Sequence, residues 1–433
     1  MRSDAEKIYK GAIEACLPDR AVEDALSSFK PKEGRVIMIA IGKAAWRMAS
    51  QACKILGDSL SSGVVITKYG HSEGELPKTE IYEAAHPVPD ENGIRATERV
   101  LEITSGLSDK DTVLFLISGG GSALFESPEC SLSELSDITS QLLASGASIN
   151  EINAVRKHLS RVKGGRFAEH VYPAHVFAVA LSDVLGNSLD TIASGPAYPD
   201  STTVDDVKEI IKKYSLKIPD GVMPKLMRET PKEIKNAEHY IGGSVSELCA
   251  AAAKICTELG YETTILTDNE HGEACHVGER LAALACEHYA LDSAFAFIIG
   301  GETVVKLHGS GLGGRNQEIA LSAAINMDGL DSVAVFSVGS DGTDGPTDAA
   351  GGYADGTSAM RMKMQGVDPI KYLEDNDSYH ALLAVGDLIF TGATGTNVND
   401  ISVLLVRPST RKRKFENLER VMNYGLTGGH TDA

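Results

Sequence analysis

The stretch TVLFLISGGGSALFESPE, Thr112–Glu129, sets the fold class. Its first part, Thr112–Ser118, reads as a buried β-strand, because β-branched and large apolar residues run without interruption. Three consecutive glycines then end it, and Ser122–Ala123 lead into residues able to start a helix. Glycine contributes no packing and costs backbone entropy on folding. Three in a row after a strand mean either a tight turn or a group that must approach the backbone closely. In parallel α/β sheets, ligands bind beyond the carboxyl ends of strands, where glycines let N–H groups face an anion. Ser118, Gly119, Gly120, Gly121 and Ser122 are the anion-binding candidates on this reading.

The same strand-then-helix rhythm extends outward. RVIMIAIG (35–42), GVVITKYG (63–70) and AHVFAVALSD (174–183) read as strands, with AAWRMASQACKILG (44–57) and SELSDITSQLLASG (133–146) as helices. Apolar strands alternating with helices predict an α/β fold with parallel sheets in βαβ units. Near residues 201–237 the chain turns charged and rich in Pro and Lys, which marks a domain edge. A second alternating series follows: HYIGGS, ETTILTD, FAFIIGGE, TVVKLHG, SVAVFSVGSDG and ISVLLV. The expected division is therefore 1–236, 237–410 and a basic tail helix over 411–433. A chain of 433 residues is too long for one core, which agrees with two or three domains.

The net charge of -19 argues against a nucleic-acid binder, because phosphate backbones demand a cationic face. It does not exclude a small phosphate, which a few well-placed donors can hold. Seven cysteines without a CxxC spacing support neither a disulfide framework nor a zinc site. The N-terminal residues are charged and amphipathic rather than a signal peptide, and no apolar run reaches the roughly 20 residues that cross a bilayer. A cytoplasmic protein with no membrane partner is expected.

The glycine loops are not standard nucleotide signatures. No GxxxxGK[ST] occurs; Lys43, in AIGKAAWRMA, lacks the upstream glycine but sits just past a strand, where it is either a surface lysine or a phosphate partner. GSGLGG (309–314) satisfies GxGxxG between the strand expected at TVVKLHG and the helix RNQEIALSAAINM. The acid expected about 20 positions on is badly placed, and Arg315, Asn316, Gln317 and Glu318 follow where small packing residues belong. Asp183 ends a strand, Asp190 lies one loop later, and Asp341, Asp344 and Asp348 crowd SVGSDGTDGPTDAAGG (337–352). Such acids either hold a hard cation such as Mg²⁺ or serve as Asx turns and helix caps. AVRKHLSRVKGGRFAEH (154–170) reads as one helix with Arg156, Ser160 and Lys163 on one face, either solvated or lining an anion site. TGATGTNVNDISV (391–403) supplies a further loop of hydroxyls and amides, and His86, between alanine and proline, reads as part of a structural turn. No GxSxG elbow supports a hydrolase.

NAVRKHLSRVKGGR, SDVLGNSLDTIASGP, GGRNQE, GTDGPTDAAGG and TGTNVND, in this order, resemble the motifs of the glycerate 2-kinase family, from about residue 4 to about residue 406. Two departures are Asn187, where the family commonly has Asp, and Ala197, where it has Thr. The resemblance implies a Rossmann-like N-terminal domain, a smaller α/β MOFRL domain, and an active site in the cleft between them. It implies ATP-dependent, Mg²⁺-assisted phosphorylation of D-glycerate at its 2-hydroxyl. The rival is an NAD(P)-dependent hydroxypyruvate reductase, a name some relatives have carried. Under the kinase reading, Lys43 and Arg315 offset phosphoryl charge, and Asp183 or Asp190 takes the hydroxyl proton or holds the metal. Arg156 and Lys163 attract an anion, while Gly313, Gly314, Asn316, Asp344, Thr394, Gly395, Thr396 and Asn397 hold nucleotide. The partners are then ATP and D-glycerate, with a homodimer kept in view.

Overall fold

Alternate residues of the central strands explain the first layer of the architecture. In β1 (Val36–Ile41) and β4 (Thr112–Ile117) every residue is buried. Ile37, Ile39 and Ile41 join Val113, Phe115 and Ile117 in one core, while Met38, Ala40, Leu114 and Leu116 join another. Side chains alternate across a strand, so these are the two covered faces of one sheet, as parallel strands require. The computed structural model describes residues 1–181, 190–289 and 291–409. The basic tail expected over 411–433 lies outside them, as does Asp183.

The chain divides into two compact units, Cys16–Ser244 and Met1–Ala15 together with the residues from Val245 onward. In the unit 16–244, β1, β2 (Leu60–Lys68), β3 (Thr79–Ala84), β4, β5 (His175–Leu181) and β6 (Ala237–Gly242) form one sheet. Its order is β3-β2-β1-β4-β5-β6, with every pair parallel. This is the doubly wound Rossmann order, and its winding reverses between β1 and β4. HYIGGS, read from sequence as opening the second series, instead supplies β6 at the edge of this sheet.

The other unit holds β7 (Glu262–Glu270), β8 (Phe295–Gly301), β9 (Val333–Gly339), β10 (Gly351–Asp355), β11 (Leu388–Ile389) and β12 (Asp400–Val406), in the order β11-β10-β9-β12-β8-β7. The parallel arrangement expected for this series holds only for β7 and β8. β12 runs antiparallel between β8 and β9, because the chain enters it at Asp400, opposite Gly301 and Gly339 where those strands end. The strand expected at TVVKLHG does not form. Val304 makes an isolated bridge to Glu273, and the chain then stays irregular up to the helix Arg315–Asn326.

The single helix expected over 154–170 is broken. One helix runs Ile149–Leu159 and another Arg166–Val171. Between them the backbone bonds elsewhere: Arg161 N–H donates to Ser127 O at 2.8 Å, Gly164 N–H to Ser194 O at 3.0 Å, and Gly165 N–H to Gly195 O at 2.7 Å. No helix among the described residues is long and apolar enough to cross a membrane.

Candidate active site

The winding reversal between β1 and β4 is where this kind of sheet binds ligands, and it gathers the glycine loop and Lys43. Gly42 has φ +112°, and a methyl group there would overlap Ser118. Lys43 N–H donates to Gly119 O at 2.9 Å, and the Ser118 hydroxyl accepts from Ala44 N–H at 3.1 Å. The ends of the two strands are thus stitched together, with the Lys43 side chain exposed above them. No described residue accepts from the N–H groups of Gly119 or Gly120.

The three glycines have different reasons. Gly120 sits in the left-handed region at φ +89°. A methyl on Gly121 would lie 2.8 Å from Ala193 Cβ. Gly119 accepts the Lys43 bond described above. A methyl on Gly120 would also lie 3.1 Å from His86 Cδ2 and 3.4 Å from Lys43 Cγ. His86 therefore lies against the glycine loop as well as in its turn. Burial, then the charges of Lys43 and Lys68 and the neighbouring His71, push its imidazole below the ordinary histidine range. The shift favours its neutral form. The sequence signal for it was weak: a lone histidine before proline, far along the chain from the glycines.

Behind the loop lies a buried charge network. The Arg156 guanidinium donates to Ser122 O at 3.0 Å and lies 3.7 Å from the Glu126 carboxylate. Lys163, fully buried, donates to Phe125 O at 2.7 Å and pairs with Glu126 at 3.1 Å. Burial pushes its ammonium down to about 8, against the pull of Glu126. Both cations thus converge on residues 122–126, although the helical face that suggested them does not exist. Ser160 ends the first helix in an extended conformation. Lys163 braces the loop from beneath and is closed to solvent.

Ser122 Oγ lies 3.0 Å from Ser194 Oγ, on a turn where Ala193, Ser194 and Gly195 all have positive φ. The same turn carries Asp190, whose carboxylate lies 3.8 Å from the buried Lys157 Nζ. Lys157 also pairs with Asp200 at 3.2 Å. Burial opposes the Asp200 charge, but Lys157 and hydrogen bonds from Thr202 and Thr230 outweigh it and hold that carboxyl below its usual range. Asp190 is half-buried, a carboxylate beside the glycine loop's partner turn. That suits Mg²⁺, which takes one or two carboxylates and fills its octahedron with phosphate oxygens and water.

A second cluster forms in the other unit at the N-terminus of the helix Arg315–Asn326. Asp344 accepts from Asn316 N–H at 3.1 Å and Gln317 N–H at 2.9 Å, so it caps that helix. Burial pushes its carboxyl up in spite of those bonds. A methyl on Gly314 would overlap this carboxylate, and one on Gly313 would overlap Ser378 Oγ; these glycines therefore serve close packing. Asn316 also accepts from Ser337 Oγ at 2.5 Å. Arg315 is clamped by both oxygens of Asp400 and lies 3.1 Å from Glu302. Burial works against its charge, but Asp400 and Glu302 hold it above its ordinary value, while burial pushes Asp400 up to about 6. Thr394 Oγ1 donates to Ser340 O at 2.5 Å, and Gly395 takes φ +82°. Asn397 Oδ1 accepts from Asn399 N–H at 3.4 Å, and Thr396 is buried beside it.

Without a strand before GSGLGG, the dinucleotide context is lost. Among the described residues, three ligating groups come within 4.8 Å of one another at Glu273, Cys275 and His276, a set that includes none of the acids singled out from sequence.

Residues 4–227 match the family model described as a domain of unknown function, DUF4147, and residues 295–400 match the MOFRL family. The chain is 52% identical to a D-glycerate 2-kinase of Thermotoga maritima, over 93% of this chain and 97% of that one. It is 41% identical to a glycerate 2-kinase of Pyrococcus horikoshii, over 91% and 95% of the two chains. The crystal structure of a glycerate kinase from Thermotoga maritima superposes with a TM-score of 0.89 at 51% identity, covering 93% of this chain and 99% of the other.

Proposed function

This chain belongs to the DUF4147–MOFRL family of glycerate 2-kinases, from which we infer that it transfers the γ-phosphoryl group of ATP to the 2-hydroxyl of D-glycerate, giving ADP and 2-phosphoglycerate. The observation that carries this is the match to 97% of a D-glycerate 2-kinase at 52% identity. The geometry supports it, because phosphoryl transfer is catalysed by positioning and charge stabilisation rather than by covalent chemistry.

In this reading the N–H groups of Gly119 and Gly120 donate to an anionic oxygen, the glycerate carboxylate or a phosphate. The exposed Lys43 ammonium offsets charge building on the transferring group. His86, kept neutral, accepts a hydrogen bond or the proton of the 2-hydroxyl. Arg156 and Lys163 act through the loop, holding Ser122 and Phe125 in place. In the other unit, Arg315 and the donors of Thr394–Asn397 meet phosphate oxygens, whereas Asp344, Gly313, Gly314 and Asn316 build the helix start that presents Arg315. Asp190, with Asp183, would hold Mg²⁺, whose contribution is to neutralise phosphate charge.

The test is purified protein with ATP, Mg²⁺ and D-glycerate, the product being resolved as 2- or 3-phosphoglycerate. ADP with 2-phosphoglycerate is expected. Oxidation of a nicotinamide by hydroxypyruvate without ADP formation would overturn the reading. Lys43→Ala should lower kcat by about 10²–10³-fold at unchanged Tm, and a normal kcat would remove Lys43 from the mechanism.

A further inference from the structure

We propose that the cavity between the segment Pro87–Glu91 and the helices Leu132–Ala144 and Ile149–Leu159 receives the adenosine end of ATP, an assignment that rests on the kinase reading. The cavity measures about 770 Å³, inside the range of small-molecule sites and far larger than glycerate needs. Leu132, Leu135, Leu143, Ile149 and Ile152 supply an apolar wall with Pro87 and Val88 opposite. Val88, Leu143 and Ile149 remain 60%, 63% and 67% exposed, so this wall is apolar surface waiting for a cover.

The polar lining is mostly hydroxyl, from Ser131, Ser133, Ser136, Thr139 and Ser140 on one side with Glu91 on the facing segment, groups able to orient a ring and a sugar. Ser133, Ser136 and Ser140 line the cavity at helical spacings of three and four, so they share one face of their helix. Glu91 is the one acid of the lining, a natural acceptor for ribose hydroxyls or an exocyclic amine. Arg156 is the one cation. Its guanidinium donates to Ser122 O, directly after the three glycines, and Pro87 follows His86, which lies against Gly120. Two walls are therefore continuous with the glycine loop assigned to an anion. A ligand with a flat ring, two sugar hydroxyls and an anionic tail matches this gradient from apolar to cationic.

The walls are also built in advance. Both helices start with complete capping boxes, Ser131 with Glu134 and Ser148 with Glu151. These fix the helix starts without any ligand present, and a preformed site binds with less ordering cost.

Ser136 is exposed, and Ser136→Trp would fill the cavity without disturbing the core. The expected result is a KM for ATP raised at least about tenfold (about 1.4 kcal/mol) with the KM for D-glycerate within about twofold. Adenosine alone should bind the wild type by calorimetry and fail to bind the variant. Ser140→Phe blocks the same space and replaces Ser136→Trp if that variant melts early. An unchanged KM for ATP in a folded variant that still makes 2-phosphoglycerate would overturn the assignment. So would a change in sedimentation mass without a change in ATP affinity, which would make this face a contact between copies. If the wild type binds adenosine, Ser136→Trp does not, and neither phosphorylates glycerate, the kinase reading fails and the cavity remains an adenosine site without its assignment to ATP.

Discussion

Gly120 is the position where backbone and side chains press on one another. Its φ of +89° is natural for glycine and costs an L-residue about 1–2 kcal/mol. The methyl of Gly120→Ala would stand 3.1 Å from the His86 ring, closer than ordinary contact, so the ring must give by a few tenths of an ångström, and 3.4 Å from the Lys43 stem, at the edge of ordinary contact. Two losses are therefore expected: about 1–2 kcal/mol of stability, and a KM for one substrate raised roughly tenfold as His86 and the N–H groups of the loop shift. Denaturation curves and initial rates on the same preparation separate them. A variant that melts early but keeps both KM values would reduce the glycine to a tight-turn residue. The need for something unusual at 119–121 is legible in the sequence because no packing argument accounts for three glycines after a buried strand. The part played by His86 is not, because the contact joins residues 34 positions apart and depends on how β3 leads back to the β1–β4 edge.

At the scale of elements, the sequence conveys periodicity well and chain direction poorly. β1, β4 and β5 are plain apolar runs and lie in the structure close to where they were read. The direction of β12 is not in its own residues, since a buried strand is apolar whether parallel or antiparallel; it follows from where the loop 390–399 delivers the chain. The break at Ser160 is likewise set by outside partners, Ser127 and Ser194–Gly195, whose carbonyls compete with helical bonding. A prediction belongs to the junction of β12 with the helix Arg315–Asn326. Burial raises Asp400 from 3.8 to about 6, with Arg315 opposing the rise. The folded state then binds more protons than the unfolded one between about pH 4 and 6, so this carboxyl lends stability at low pH that is lost as pH climbs through that window. Asp400→Asn cannot titrate. The stability difference between variant and wild type should therefore move in the variant's favour from pH 4.5 to pH 7. Chemical denaturation at both values measures it, and a gap that stays constant or moves the other way would mean that Asp400 does not carry a raised pKa.

On the scale of the whole molecule, the two units are not successive along the chain. The unit 16–244 is one continuous segment interrupting the other, whose first helix, Arg2–Ala15, is cut off in sequence from the rest of its own core. That helix is no ornament. Ile8 and Ala12 are fully buried, Tyr9 packs edge-on to Phe336 with ring centroids 6.0 Å apart, and Arg2 lies 4.2 Å above the Tyr353 ring while pairing with the buried Asp387. Asp4 accepts from Tyr261 Oη at 2.7 Å and pairs with Arg407 at 3.0 Å. Burying each large apolar side chain is worth about 1.5–3 kcal/mol, so losing the helix removes a large share of a domain's net stability of about 5–15 kcal/mol. By contrast, the two core clusters described on the faces of the parallel sheet are supplied from within residues 16–244. A fragment of residues 16–244 should therefore unfold cooperatively on its own. A fragment beginning at Val245 should melt broadly and bind a hydrophobic dye, and a synthetic peptide of residues 1–15 added in trans should raise and sharpen its transition. Cooperative unfolding of the 245–433 fragment without the peptide, unchanged when the peptide is added, would show that the interrupted unit closes its core without its first helix.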